Sequence, residues 1–142
     1  MRYLGLDLGT KTLGIAISDR LGIISNPYKT IKFNSQNEVI DELKKIIADE
    51  NIEEIALGLP KNMDSSIGEA GMRSIRFKNI LESNIDIPVV LVDERLSTVE
   101  AEKYLLDADT SRKKRKNVID AVAASVILNT YIRMKGNMKD ER

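Results

Sequence analysis

The sequence predicts an α/β protein built on one five-stranded mixed sheet, an antiparallel three-strand meander plus two parallel strands, with helices on both faces. The opening stretch joins short apolar runs by tight turn signals, at a spacing that suits such a meander. From Val39 onward, segments of helical apolar spacing alternate with continuous apolar runs, the mark of parallel βα units whose strands are covered on both sides. The 142 residues, 42% apolar and 31% charged, suffice for one domain with a real core and leave no room for a second lobe.

Taken in order, Tyr3 to Leu8 and Leu13 to Ser18 flank Gly9-Thr10-Lys11-Thr12 and read as a hairpin. After the turn Asp19-Arg20-Leu21-Gly22, Ile23 to Phe33 supplies a third strand, which Pro27 makes bulged or an edge. Val39, Ile40, Leu43, Ile46 and Ile47 recur at helical spacing up to Asn51. Ile55 to Leu59 is a buried strand ended by Pro60, and a helix follows carrying Ala70, Ile75, Ile80 and Leu81. Pro88 to Val92 is the next strand. Ser97-Thr98-Val99-Glu100 forms a capping box for a helix to about Leu106, ending at Asp107-Ala108-Asp109. The basic run Arg112 to Lys116 leads to Asn117, read as the N-cap of a long helix from Val118 to about Met134. Residues 1–136 form the expected domain and 137–142 a frayed tail. Right-handed crossovers put the later parallel strands beside the first.

Composition narrows the chemistry. Lys+Arg and Asp+Glu each number 22, so affinity for a polyanion must come from a local patch. With no Cys and no His there is no thiol nucleophile, no Ser-His pair and none of the usual zinc ligands. Carboxylates, Lys, Arg, hydroxyls or a hard metal ion remain. The first residues meet a carboxylate at Asp7, which rules out a signal-peptide core there, and no apolar run approaches the length of a membrane span. A cytoplasmic protein with no membrane partner is expected.

Asp7 interrupts an apolar run, Leu4-Gly5-Leu6-Asp7-Leu8-Gly9, in a strand expected to be central. An unpaired buried carboxylate is costly, so Asp7 needs a cation, a metal or hydrogen-bond donors. It reads either as a strand-end cap or as a metal ligand, with Gly5 and Gly9 leaving the backbone clear for a phosphate. Asp93-Glu94-Arg95 falls at the carboxyl end of a parallel strand, where ligands collect in open α/β sheets. Only one of Asp93 and Glu94 can face the site. If that strand lies two places from the first, a gap of roughly 10 Å favours the longer Glu94. An Asp93-Arg95 ion pair with Glu94 in solvent is the plainer alternative. Asp120 either complements the dipole of its helix or joins the acids, since Ala121, Ala123 and Ala124 allow that helix to lie close to the sheet. Three such carboxylates suit Mg²⁺ or Mn²⁺, which prefer oxygen, and phosphoryl displacement. Arg112, Lys113, Lys114, Arg115 and Lys116, together with Lys11, Arg95, Lys61 and Asn62, are candidate contacts to a nucleic-acid backbone or solvated loop surface.

Asp7-Leu8-Gly9-Thr10-Lys11 with Gly14 to Asp19, Gly58-Leu59-Pro60 with Asp64, Asp93-Glu94-Arg95-Leu96-Ser97-Thr98, and Lys116 to Ala124 together resemble the YqgF/RuvX family over residues 1 to about 133. The resemblance implies a ribonuclease H-like fold related to the Holliday junction resolvase RuvC. Bacterial members of the family are described as nucleases of pre-16S rRNA 5′-end maturation. It implies a metal-dependent nuclease with Asp7, Glu94 and Asp120 as the acidic site, Mg²⁺ or Mn²⁺ as cofactor, and precursor rRNA or branched DNA as partner. A homodimer is compatible with it. Junction resolution and a non-catalytic RNA-binding assembly factor are the alternatives. A nucleotide-binding ATPase half, suggested by Gly5 to Thr10, would need a second domain. The family often has Arg or Lys at position 12 and Gly at position 65, where this chain has Thr12 and Ser65. RuvC-type enzymes carry an acid where the fourth strand here ends in Gly58-Leu59-Pro60, so the second ligand must come from the fifth strand. With 4% aromatic residues, recognition should rest on backbone and shape.

Overall fold

The computed structural model describes the backbone of residues 1–94 and 112–140, and the side chains of residues 1–94 and 120–136. Strands β1 (Arg2–Leu8), β2 (Thr12–Ser18) and β3 (Ser25–Lys32) form the expected meander. A 3₁₀ turn (Gln36–Val39) runs into α1 (Ile40–Glu50), followed by β4 (Ile52–Leu59), α2 (Glu69–Asn84), β5 (Val89–Asp93) and α3 (Arg112–Asp140). The sheet order is β3-β2-β1-β4-β5, with β1-β2 and β2-β3 antiparallel and β1-β4 and β4-β5 parallel. β1 is therefore central, and β5 stands two places from it.

Local chemistry accounts for most boundaries. Asn51 ends α1 in the left-handed conformation at φ 54°, which Asn tolerates better than most residues. Pro27 sits on the edge strand, and the β2–β3 register slips beside it, between Ile15 and Ala16, so Tyr28 is the extra residue of a bulge. β3 is shorter than its apolar content suggested. Ile23 and Ile24 are exposed in the preceding turn, where both backbone N–H groups donate to Asp19, at 2.7 and 3.0 Å.

Two apolar layers flank the sheet. On one face Leu4, Leu6, Leu13, Ile15, Ile55 and Leu57 meet Leu43 of α1 and Phe77 and Leu81 of α2. On the other, Tyr3, Ala16, Ala56 and Val92 meet Ala124, Ile127, Leu128 and Tyr131 of α3. That second interface is lined with small residues because the helix lies almost on the strands. A Cβ added to Gly5 would stand 2.6 Å from Leu128 Cβ and 2.7 Å from the Ala124 carbonyl oxygen. One added to Gly14 would overlap the carbonyl oxygen of Asp120. Gly5 thus seats a helix, which corrects the expectation that it keeps the backbone clear for a phosphate.

α3 also departs from the expected helix. It begins at Arg112, so the basic run is helical, Asn117 is not a cap and Asp120 lies well inside the helix. Lys and Arg are good helix formers, and nothing between Arg112 and Val118 breaks the pattern. At its other end α3 continues past Met134 to Asp140. The helix expected from Ser97 to about Leu106 lies outside the described residues. Among the described residues no helix is long and apolar enough to cross a membrane.

Candidate active site

Alternation along each strand decides which side chains share a face. Gly5 of β1 packs on α3, so Asp7, two residues on, looks the same way. Ala56 of β4 belongs to the α3-side layer, which puts Gly58 on that side. Val92 of β5 belongs there too, and Glu94 follows it by two, while Val89 and Leu91 pack on the opposite layer with Asp93 in phase. The Glu94 backbone N–H donates to the Leu59 carbonyl at 3.2 Å, which carries the β4–β5 ladder one residue past the end of β5. Asp7, Gly58 and Glu94 lie at the carboxyl ends of the parallel strands.

Glu94 crosses over β4 and is hydrogen-bonded to Asp7 through the two carboxyl groups. Such a bond needs at least one proton between them, so the two cannot both be ionised while it holds. Burial pushes Glu94 up to about 10, reinforced by the bond to Asp7 and by the charges of Asp7 and Asp93. Burial also raises Asp7; the bond to Glu94 works against this and the charge of Asp120 works with it. Asp120, half-buried on α3, is thus within electrostatic range of Asp7, and the seat of its own backbone against Gly14 sets that approach. Among the described residues no three acidic side chains are drawn together tightly enough to form a finished ion cage. Asp7 and Glu94 are bonded, and Asp120 on α3 is within electrostatic range of Asp7.

The basic and polar candidates fall less closely together. Lys11 is exposed in the β1–β2 turn on the same edge, its carbonyl accepting from Phe33 N–H at 2.9 Å. With Thr12, Lys32, Phe33, Asn34 and Glu38 it lines a groove of about 440 Å³. Lys61 follows β4 at this edge. Asn62 holds its own loop closed: its backbone N–H donates to the Ser66 carbonyl and its side-chain amide to Ser66 Oγ, both at 2.9 Å. Ser65, where the family often has Gly, adopts φ 72°. Arg95 lies outside the described residues, as do the side chains of Arg112, Lys113, Lys114, Arg115 and Lys116. Gly14 and Gly58 entered the sequence motifs without a role of their own. A glycine inside a strand marks a close approach, and that was the available signal.

Residues 1–134 match the family described as "RuvX: Holliday junction resolvase". The chain belongs to the RuvX family. A Bacillus subtilis (strain 168) relative is 49% identical over 134 residues, covering 93% of this chain and 97% of its own. One from Geobacillus sp. (strain WCH70) is 48% identical over 137 residues, covering 95% and 99%. Both carry the name "Putative pre-16S rRNA nuclease". Among solved structures, Thermus thermophilus RuvC in complex with a Holliday junction substrate superposes with a TM-score of 0.63 at 13% identity, covering 95% of this chain and 96% of its own. The Fowlpox virus resolvase bound to Holliday junction DNA gives 0.54 at 14% identity, covering 95% and 99%. The RuvX-family chain therefore has the ribonuclease H-like fold of the resolvases.

Proposed function

We propose that this RuvX-family protein is a divalent-metal-dependent nuclease that hydrolyses a phosphodiester bond in 5′-end maturation of pre-16S rRNA, in the cytoplasm. The observation that carries the proposal is the Asp7–Glu94 carboxyl pair, bonded across β4 with Asp120 in electrostatic range. Three carboxylates, with no His or Cys anywhere in the chain, form an all-oxygen donor set that fits Mg²⁺ or Mn²⁺. A bound divalent ion supplies activation of water and neutralisation of charge in an in-line displacement at phosphorus. The chain's own part is to hold the acids: Asp7 from the central strand, Glu94 from the strand two places away, and Asp120 from the helix laid on Gly14. Lys11, Lys61, Asn62, Arg95 and the run Arg112 to Lys116 would position the substrate backbone. The backbone N–H groups at a helix N-terminus and its dipole favour phosphate, and that is where the basic run stands.

The two named relatives favour rRNA as the substrate. Side-by-side incubation of a precursor rRNA fragment and a four-way DNA junction, with and without Mg²⁺ or Mn²⁺, tests the reading. Metal-dependent cutting of the rRNA that leaves a 5′-phosphate and a 3′-hydroxyl is expected. Cutting of the junction alone would make the protein a resolvase, and binding without cutting an assembly factor. Asp7→Asn and Asp120→Asn should each abolish cleavage while thermal unfolding without metal shows them as stable as the parent, because each removes one of several repelling charges. Glu94→Gln should damage turnover far more than Asp93→Asn. The reverse ranking would put the working carboxylate on the other face of β5.

A further inference from the structure

We propose that Gly58 is a positioning residue for the acidic site: having no side chain, it opens the passage through which Glu94 reaches over β4 to Asp7. The inference rests on the reading of Asp7 and Glu94 as metal ligands. β4 lies between β1 and β5, so any side chain linking the outer two must cross it. Two strand spacings amount to about 10 Å, and the crossing needs clear space at mid-span.

The register places Gly58 at that point. Gly58 pairs with Val92 of β5, and the preceding Leu57 pairs with Leu6 of β1, which brings Gly58 level with Asp7. Positions 7, 58 and 94 all face α3. A Cβ at position 58 would overlap the Glu94 carboxylate, 2.6 Å from its Cδ, and would stand 2.6 Å from Ile127 Cδ1. Ile127 is fully buried on α3 and closes the passage from the helix side, so the carboxylate has no route over the top. The backbone gives no competing reason for a glycine, because among the described glycines only Gly22 has positive φ. By conformational preference alone, a strand interior would hold Ala better than Gly. What glycine provides here is room.

Mn²⁺ binding to the 142-residue parent, Gly58→Ala, Glu94→Ala and the double variant, measured by calorimetry, tests this, with circular dichroism confirming that each is folded. Gly58→Ala should weaken Mn²⁺ about tenfold or more. The double variant should bind no worse than Glu94→Ala alone, since the methyl group then has no carboxylate to displace. Parent-like affinity in Gly58→Ala, or losses that simply add, would overturn the proposal. Should Gly58→Ala fail to fold, an Ile127→Val background, which lacks the Cδ1 atom, carries the same cycle. A parent that binds no Mn²⁺ defeats the metal reading alone, and the crystal structure of Gly58→Ala then decides. Glu94 turned away from Asp7 supports the passage; Glu94 still bonded to Asp7 refutes it.

Discussion

Glu94 ties the chemistry of the site to its stability. Its carboxyl, ordinarily near 4.5, is held at about 10 by burial, by the bond to Asp7 and by the charges of Asp7 and Asp93. Between those values the folded chain keeps a proton that the unfolded chain has lost, so unfolding releases it. Stability therefore falls as pH climbs through that window, and Asp7, also raised, adds to the fall at its lower end. In metal-free thermal melts the Tm should drop between about pH 6 and pH 9 through this linkage. Glu94→Gln, which has no carboxyl to ionise, should flatten the profile, and a variant with the parent's slope would refute the assignment. Ser65 holds a left-handed backbone, at φ 72°. A left-handed conformation costs an L-residue roughly 1–2 kcal/mol, and glycine's greater freedom in the unfolded chain returns part of the gain. Ser65→Gly should stabilise by up to about 1 kcal/mol in urea unfolding. A loss would mean that contacts of the Ser65 side chain outweigh the backbone.

At the scale of an element, α3 is fastened far from the acids. Tyr131 Oη donates to Glu54 Oε2 at 2.5 Å, and Lys135 Nζ reaches the same oxygen at 2.6 Å. Burial opposes ionisation of Glu54, yet the two bonds win and its carboxyl lies below the ordinary value. Tyr131 is pushed up to about 12 by burial and by Glu54. The Tyr3 ring meets Tyr131 edge-on at 5.8 Å, with the Lys135 ammonium 4.9 Å above Tyr3. Tyr3 is near the start of β1 and Asp7 near its end, so this cluster sets the lie of the helix without touching the site. Tyr131→Phe removes one hydrogen bond to a charged, partly exposed acceptor and should cost about 1–2 kcal/mol in chemical unfolding while cleavage survives. Loss of cleavage in a folded Tyr131→Phe would show the helix seat to be coupled to the acids.

Over the whole molecule the charges cancel, 22 against 22, so binding of nucleic acid must come from where the cations lie. The longest basic cluster opens α3, the helix that also carries Asp120, and no acid stands in its first turn. Releasing counterions from phosphates makes log K fall with log salt by about 0.7 per contact for single strands and 0.9 for duplex DNA. Neutralising Lys113, Lys114 and Lys116 together should flatten that slope by about two units, with turnover at saturating substrate falling much less than affinity. An unchanged slope would leave Lys11, Lys61 and Arg95 as the backbone contacts.

The amino-acid sequence alone carried the order of elements up to β5, the meander followed by parallel units, the absence of thiol and imidazole side chains, and the three candidate acids. Each of these follows from local pattern: apolar period, turn residues, and carboxylates set into apolar runs. Packing governs what depends on distance between segments far apart in the chain. That Glu94 and not Asp93 meets Asp7 follows from strand phase together with the place of β5, and that Asp120 comes within electrostatic range of Asp7 follows from a helix seated on Gly5 and Gly14. The start of α3 at Arg112 escaped a reading that took Asn117 for a cap, because a cap residue and a mid-helix residue look alike in sequence. Gly58 escaped it for a related reason. A glycine announces that something comes close, and only the packed sheet shows that the neighbour is the carboxylate of Glu94.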